Sequence, residues 1–226
     1  MKGEGDLGSF AEKLKGFHEE EAMETEDGGK LTLSTDIFDV KLDKEQVSGV
    51  FSRDFLRTSQ YRRKMFEAPV TEEAPFWIKP FKDRKFLMVM APSVARGVKK
   101  LLTNHVANKI SETMYGRMGF IVEARIPSEI LQRLHESNPQ ATKLIWFDDI
   151  DIPSLEKLAL AGSGIADTGI YKDYLKHGKI WYVVFESQKR KITVGITRNS
   201  VVTLFSKSSA DDFIEYILED ILNLIE

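Results

Sequence analysis

The chain has 226 residues, no cysteine, 42% hydrophobic and 30% charged residues, and a formal net charge of −3. A disulfide scaffold, a thiolate metal site and a cysteine nucleophile are therefore excluded, while the apolar content suffices for one large domain or two small ones. No apolar run reaches the roughly 18 residues of a membrane span, and Met1-Lys2-Gly3-Glu4-Gly5-Asp6 has no signal-peptide core, so a soluble, cytoplasmic protein is expected.

The net charge conceals a partition. Residues 1–47 hold 13 acids and 6 bases, residues 48–118 hold 14 bases and 6 acids, and residues 119–226 hold 12 bases and 16 acids. A basic middle thus lies between two acidic stretches, an asymmetry that whole-chain charge does not report. Asn and Gln together number ten beside many Lys and Glu, a composition seen in thermophilic proteins.

In chain order, residues 1–29 read as an acidic, partly flexible tail with one short amphipathic helix. Ser9-Phe10-Ala11-Glu12 has capping-box form, and Phe10, Leu14 and Phe17 recur at helical spacing. Residues 30–84 read as a basic, aromatic-rich subdomain. In it, Leu31–Ser34 and Ile37–Leu42 alternate as strands, and Asp43-Lys44-Glu45-Gln46 opens a helix with Val47, Val50, Phe51 and Phe55 on one face. Tyr61–Glu73 reads as irregular, and Pro75 and Pro80 confine the residues between them to a short or edge strand.

Residues 85–226 read as one further domain. Phe86–Met90, Phe120–Ile126 and Leu144–Phe147 are strand-like segments, the last continuing through Asp148–Ile152, and each leads to Pro-Ser before a helical pattern, with Leu155–Leu160 as the third such helix. Ile180–Phe185, Ile192–Thr197 and Val201–Phe205 follow with short turns, then a helix from Ser209 with Asp211 and Asp212 in its first turn. The expected class is α/β or α+β. Its mixed sheet would have alternating strand–helix units and end in an antiparallel three-strand meander and a C-terminal amphipathic helix.

Few motifs carry chemistry. Leu144–Asp149 has the shape of a strand ending in acids, but no Gly-x-x-x-x-Gly-Lys-Ser/Thr accompanies it, so a P-loop NTPase is excluded. Asp148, Asp149 and Asp151 are the weak candidates for a hard cation. Gly162-Ser163-Gly164 has Asp167 where a dinucleotide fingerprint needs its third glycine. The four histidines show no metal-ligand spacing, and no cofactor is implied.

The basic middle is the strongest feature. Arg53, Arg57, Arg62, Arg63, Lys64, Lys79, Lys82, Arg84 and Lys85 alternate with Phe51, Phe55, Tyr61, Phe66, Phe76, Trp77, Phe81 and Phe86, and Arg96, Lys99 and Lys100 share a face of the next helix. Cations neutralise phosphates and aromatic faces stack on unpaired bases, so the expected function is binding of single-stranded DNA or RNA, with Trp77 among the contacts. No helix–turn–helix, zinc-finger or ribonucleoprotein signature accompanies it. Two readings of other classes stand beside it. One is a non-catalytic interaction or regulatory subunit, docking through Phe10, Leu14 and Phe17 or pairing as a homodimer through its last helix. The other is a metal-dependent enzyme using the Asp148, Asp149 and Asp151 cluster, with the balance against catalysis.

Overall fold

Alternation, and not a helical stripe, governs the residues after Gln46. Val47, Phe51 and Phe55 are spaced by four, which satisfies a period of two as well as one near 3.6. In the computed structural model, which describes residues 1–25, 28–91, 96–205 and 208–225, they lie on a strand spanning Val47–Tyr61. The helix expected here does not form. Asp43 still caps, but what it caps is a turn: its Oδ1 accepts from the backbone N–H of Glu45 and Gln46, both at 2.8 Å.

The chain divides into two compact units, Met1–Val122 and Glu123–Glu226. The first contains α1 (Leu7–Leu14), β1 (His18–Glu24), β2 (Lys30–Leu42), β3 (Val47–Tyr61), β4 (Lys64–Phe81), β5 (Arg84–Val89) and α2 (Arg96–Tyr115). Its strands pair antiparallel in chain order, β1-β2-β3-β4-β5. One sheet face carries Ile37, Val47, Phe51, Ala74, Phe76 and Ile78, and this face joins Phe10 and Leu14 of α1 and Leu102, Val106, Ile110 and Met114 of α2 in one core.

The N-terminal segment accordingly departs from its expected role. Asp6, and not Ser9, caps α1, accepting from the Ser9 N–H at 2.9 Å. Phe10 and Leu14 are fully buried and Phe17 packs against the same core, so the apolar edge read as a docking peptide is already occupied within the unit. The acidic run that follows is not a loose tail: His18–Glu24 is a strand paired along β2. Its side chains are all exposed, and the glutamates discourage addition of a foreign strand at this edge.

Residues 61–81 also differ from expectation. They are not irregular but belong to a hairpin in which β4 runs 18 residues through Pro69, Pro75 and Pro80. The Pro75 carbonyl accepts from Met90 N–H at 2.9 Å, so residue 75 points its backbone polar groups to the β5 side. Pro69, six residues away, points the same way, to an edge with no partner strand, because β5 pairs only with Phe76–Phe81. Pro80 points to the β3 side, beyond the last β3 pairing at Val47↔Ile78. Each missing N–H thus falls where no ladder bond is lost.

The second unit contains α3 (Ser128–Glu136), β6 (Thr142–Asp148), β7 (Leu158–Ala161), α4 (Gly169–His177), β8 (Lys179–Ser187), β9 (Ile192–Thr197), β10 (Val202–Leu204) and α5 (Ala210–Tyr216). Its sheet order is β10-β9-β8-β6-β7, and every ladder among the described residues of the chain is antiparallel. The class is therefore mixed α+β and mostly strand, without the parallel component expected. Phe120–Ile126 is not a strand, and a strand replaces the helix expected at Leu155–Leu160. The Pro-Ser junctions explain little. Pro127 itself takes the cap position of α3 with no side-chain hydrogen bond, no helix follows Pro153-Ser154, and Pro92-Ser93 lies outside the described residues. At the C-terminal end Ser209 and Asp212 cap α5 reciprocally, each side chain accepting from the other's backbone N–H.

No helix among the described residues is long and apolar enough to cross a membrane. The burial of Phe10 sets a test of the N-terminal segment. Phe10→Ala is expected to destabilise the first unit by about 3–5 kcal/mol, read by urea denaturation. A loss below about 1 kcal/mol would show that α1 is peripheral to the core.

Candidate nucleic-acid interface

The basic residues of the middle segment do not form one surface. β2 pairs with β3 only as far as Arg53, and β5 pairs with β4 only from Phe76. Between Asp54↔Thr71 and Tyr61↔Lys64 the β3–β4 hairpin is a two-stranded ribbon, roughly 25 Å long at the usual rise per residue. Arg62 and Arg63 form its two-residue turn and Lys64 begins the return strand. Lys82, Arg84 and Lys85 lie at the β4–β5 turn, at the other end of β4 and roughly 50 Å of strand away. At this second group Lys82 sits over the Phe81 ring at 5.2 Å, and Phe81 meets Phe86 edge-on at 6.3 Å.

Three of the other expected contacts are held by the unit's own acids. Arg53 lies 3.7 Å from Glu21 and over the Phe55 ring at 5.8 Å. Arg57 pairs with the buried Glu72, and Lys79 pairs with Glu45 at 3.0 Å. Trp77 is half-buried on the face of the sheet opposite the core, across from Ser48 and Met88. Arg96, Lys99 and Lys100 fall in the first turns of α2, where side chains lie outside the described ones.

What remains is the ribbon tip. Among the described residues no carboxylate pairs with Arg62, Arg63 or Lys64, and Arg62 lies over the ring of Tyr61 at 5.4 Å. Beside them Tyr61, Met65 and Phe66 are 63%, 64% and 46% exposed. Met65 carries no sequence signal that would single it out, and only the pairing register places it here. The turn is strained: Arg62 and Arg63 have φ of 46° and 66°, in the left-handed region where Asn-Gly is the usual pair. Such a conformation costs on the order of 1 kcal/mol at each arginine relative to residues suited to it. Cations are thus kept at two positions where local stability favours other residues.

In the first unit His18 meets Asp36 and Glu20, and Lys109 meets Glu19 and Glu112; the aspartates singled out in the sequence belong to the second unit. Arg198 donates to Asp148 at 2.5 Å and to Asp149 at 3.4 Å, while Asp151 pairs with the His177 ring at 2.8 Å. The three aspartates read as cation ligands therefore face a guanidinium and an imidazole and do not converge, and no cluster of three or more ligating side chains occurs among the described residues. Burial raises the Asp148 carboxyl, and Arg198 opposes that shift. Gly162-Ser163-Gly164 follows a strand, contrary to the sequence reading, but a single 3-10 turn at Ile165–Asp167 comes next and no helix opens there to receive a pyrophosphate.

His135 and Tyr171 are buried, and with the half-buried Glu136 they form a polar cluster. The Tyr171 hydroxyl donates to Glu136 Oε1 at 2.7 Å, so its oxygen accepts from His135 Nε2 at 2.8 Å. His135 Nδ1 then carries no proton and is buried without a partner. Burial pushes the imidazole down to about 4 and raises the Tyr171 hydroxyl, the latter also through its bond to Glu136.

No family model, curated protein or solved structure matches the chain.

The buried imidazole makes acid a destabilising agent for the second unit. Below about 6.5 the unfolded chain protonates His135 before the folded one does, so the stability present at neutral pH is lost progressively as pH falls toward 4 and levels off beneath it. The loss is on the order of 3 kcal/mol. Denaturant titrations between pH 7 and 4 should show it, and His135→Gln should flatten the slope. An unchanged slope in that variant would assign the acid sensitivity elsewhere.

Proposed function

We propose that the chain binds nucleic acid, and that the β3–β4 ribbon is the element that does so. One observation carries this reading: the ribbon tip joins three cations that pair with no carboxylate among the described residues to three exposed apolar side chains, on a projection to which no described strand adds a third. An isolated two-stranded hairpin is marginally stable in water, and a solvent-facing tip has no need of Tyr61, Met65 and Phe66. A polyanion supplies the missing complement. Its phosphates release counterions to Arg62, Arg63 and Lys64, and its bases offer flat apolar surface to the rings. The turn geometry supports the same reading, because the arginines sit in a conformation that costs local stability.

The ribbon also changes the form of the interface expected from the sequence. Lys82, Arg84 and Lys85 are too far along β4 to share a short ligand with the tip, so they enter only as a secondary contact for a long strand. Arg53, Arg57 and Lys79 contribute little net charge, because each is paired.

Fluorescence anisotropy with a labelled 12-nucleotide oligo-dT at 50 and 200 mM salt tests the proposal. Affinity should fall steeply with salt, and replacing Arg62, Arg63 and Lys64 by Ala should reduce the salt slope by about 2 for a single strand. Absence of binding, or a triple variant that binds as the parent does, overturns the assignment to the ribbon. A second pair of substitutions separates charge from fold. Arg62→Asn with Arg63→Gly should slow amide exchange in the ribbon, because the turn is relieved, while weakening the oligonucleotide complex. Slower exchange with undiminished affinity would mean that the arginines are not there for a ligand.

A further inference from the structure

We infer that Tyr61 and Phe66 make the ribbon selective for unpaired bases, an inference that rests on the nucleic-acid reading above and adds to it the form of the ligand. The pairing register places the two rings. Tyr61 lies opposite Lys64 and Ser59 lies opposite Phe66, so Tyr61 and Phe66 stand on the same face of the ribbon, on different strands and one side-chain repeat apart. Diagonal neighbours of this kind are separated by about 7–8 Å. Neither ring makes a ring–ring contact with any described residue, and among the described residues Arg62 alone lies over the Tyr61 ring.

A separation of about 7 Å is roughly twice the 3.4 Å rise between stacked bases. It leaves room for one base between the rings, or for one base on each when the strand is drawn out. Either arrangement needs a base with a free face. In a duplex both faces of an internal base are covered by its stacked neighbours, so the rings have nothing to take unless the pair is opened. Opening costs a few kcal/mol per base, which a single strand does not pay.

The rest of the same face suits a single strand. Lys64 stands directly across from Tyr61, one position from the ring, and Arg62 and Arg63 follow at the turn, so phosphates on either side of a stacked base meet cations. Toward the sheet the face continues through Arg57, which Glu72 already holds, and Phe55, which meets the His105 ring at 5.7 Å. The ligand site therefore ends near Arg57. The opposite face of the ribbon bears Thr58, Gln60, Met65 and Glu67 near the tip and Asp54 at the sheet end, with no aromatic ring and two carboxylates. The two faces differ, and only one combines stacking surface with positive charge. The cations then set affinity for any nucleic acid, while the rings set the preference for single strands.

The experiment uses the full chain and five probes of equal length at 50 mM salt: 12-nucleotide oligo-dT, 12-nucleotide oligo-rU, a 12-nucleotide strand with four central abasic sites, a 12-base-pair duplex, and the same duplex with two mismatched central pairs. The parent protein should bind the two single strands at least tenfold tighter than the duplex, with the abasic strand weakened toward the duplex value and the mismatched duplex between them. Tyr61→Ala with Phe66→Ala should lose tenfold or more on the single strands and nearly nothing on the duplex. Tyr61→Phe with Phe66→Tyr should keep the parent's preference. Both positions are exposed, and far-ultraviolet circular dichroism confirms that the variants fold. Equal affinity of the parent for single strand and duplex, or an equal loss on both in the alanine variant, overturns the inference and leaves nucleic-acid binding standing. No binding of any probe removes the nucleic-acid reading itself, and this inference with it.

Discussion

The pairing register of β3 with β4 is the constraint on which the first unit depends. Phe51 opposite Ala74 and Val47 opposite Ile78 place every second side chain of both strands on the face that α1 and α2 cover. Burial of Phe51 on β3 and of Phe76 and Ile78 on β4 pins that register, because a slip of one residue would turn the shifted strand's set toward solvent, at about 1.5–3 kcal/mol for each large side chain. The same register, carried outward without interruption, decides which residues of the ribbon share a face. Tyr61 and Phe66 stand together only because Phe51 and Ala74 do. The inner half of one hairpin is core, and the outer half presents its cations and rings.

The two halves also divide the chemistry of charge. Near the sheet, Arg53, Arg57 and Lys79 lie within reach of Glu21, Glu72 and Glu45, so their charge is neutralised locally. At the tip no carboxylate among the described residues pairs with Arg62, Arg63 or Lys64. A cation on a two-stranded projection stays available because a third strand is missing, and the turn keeps two arginines at positive φ despite the local cost. The second unit shows the converse arrangement: Arg190 is held among Glu215, Glu219 and Asp220, which ties the β8–β9 turn to the C-terminal helical segment. Arg190 thus serves the fold.

Legibility of the structure in the sequence varied with how many physical arrangements a pattern allowed. The cap at Ser209 was readable because Ser209 and Asp212 sit three apart before an apolar periodic run, and few structures other than a helix start use that arrangement. Asp43 looked equally like a cap and is one, but a carboxylate accepting from two successive N–H groups serves a turn as well as a helix. Val47, Phe51 and Phe55 fit both periods, and Val50, which the helical stripe includes, points to the opposite face of the sheet. The ribbon turn was hidden for a different reason. Arg62-Arg63 has none of the Asn, Asp or Gly that mark a two-residue hairpin turn, so Tyr61–Glu73 read as irregular.

Composition and local order alone determined that no cysteine chemistry and no P-loop occur, that the cations gather in the middle of the chain, and that aromatic residues accompany them. These follow from residue identity and spacing, which folding does not alter. Only the tertiary structure decided that Phe10 and Leu14 are core and not a docking edge, that Arg53, Arg57 and Lys79 are paired while Arg62, Arg63 and Lys64 meet no carboxylate among the described residues, and that Tyr61 and Phe66 face one way. Each of these depends on contacts between residues far apart in the chain, such as Arg57 with Glu72 across the hairpin or α1 with α2 on one face of the sheet. Sequence spacing carries no information about which distant side chain arrives beside a given one; burial and strand register do.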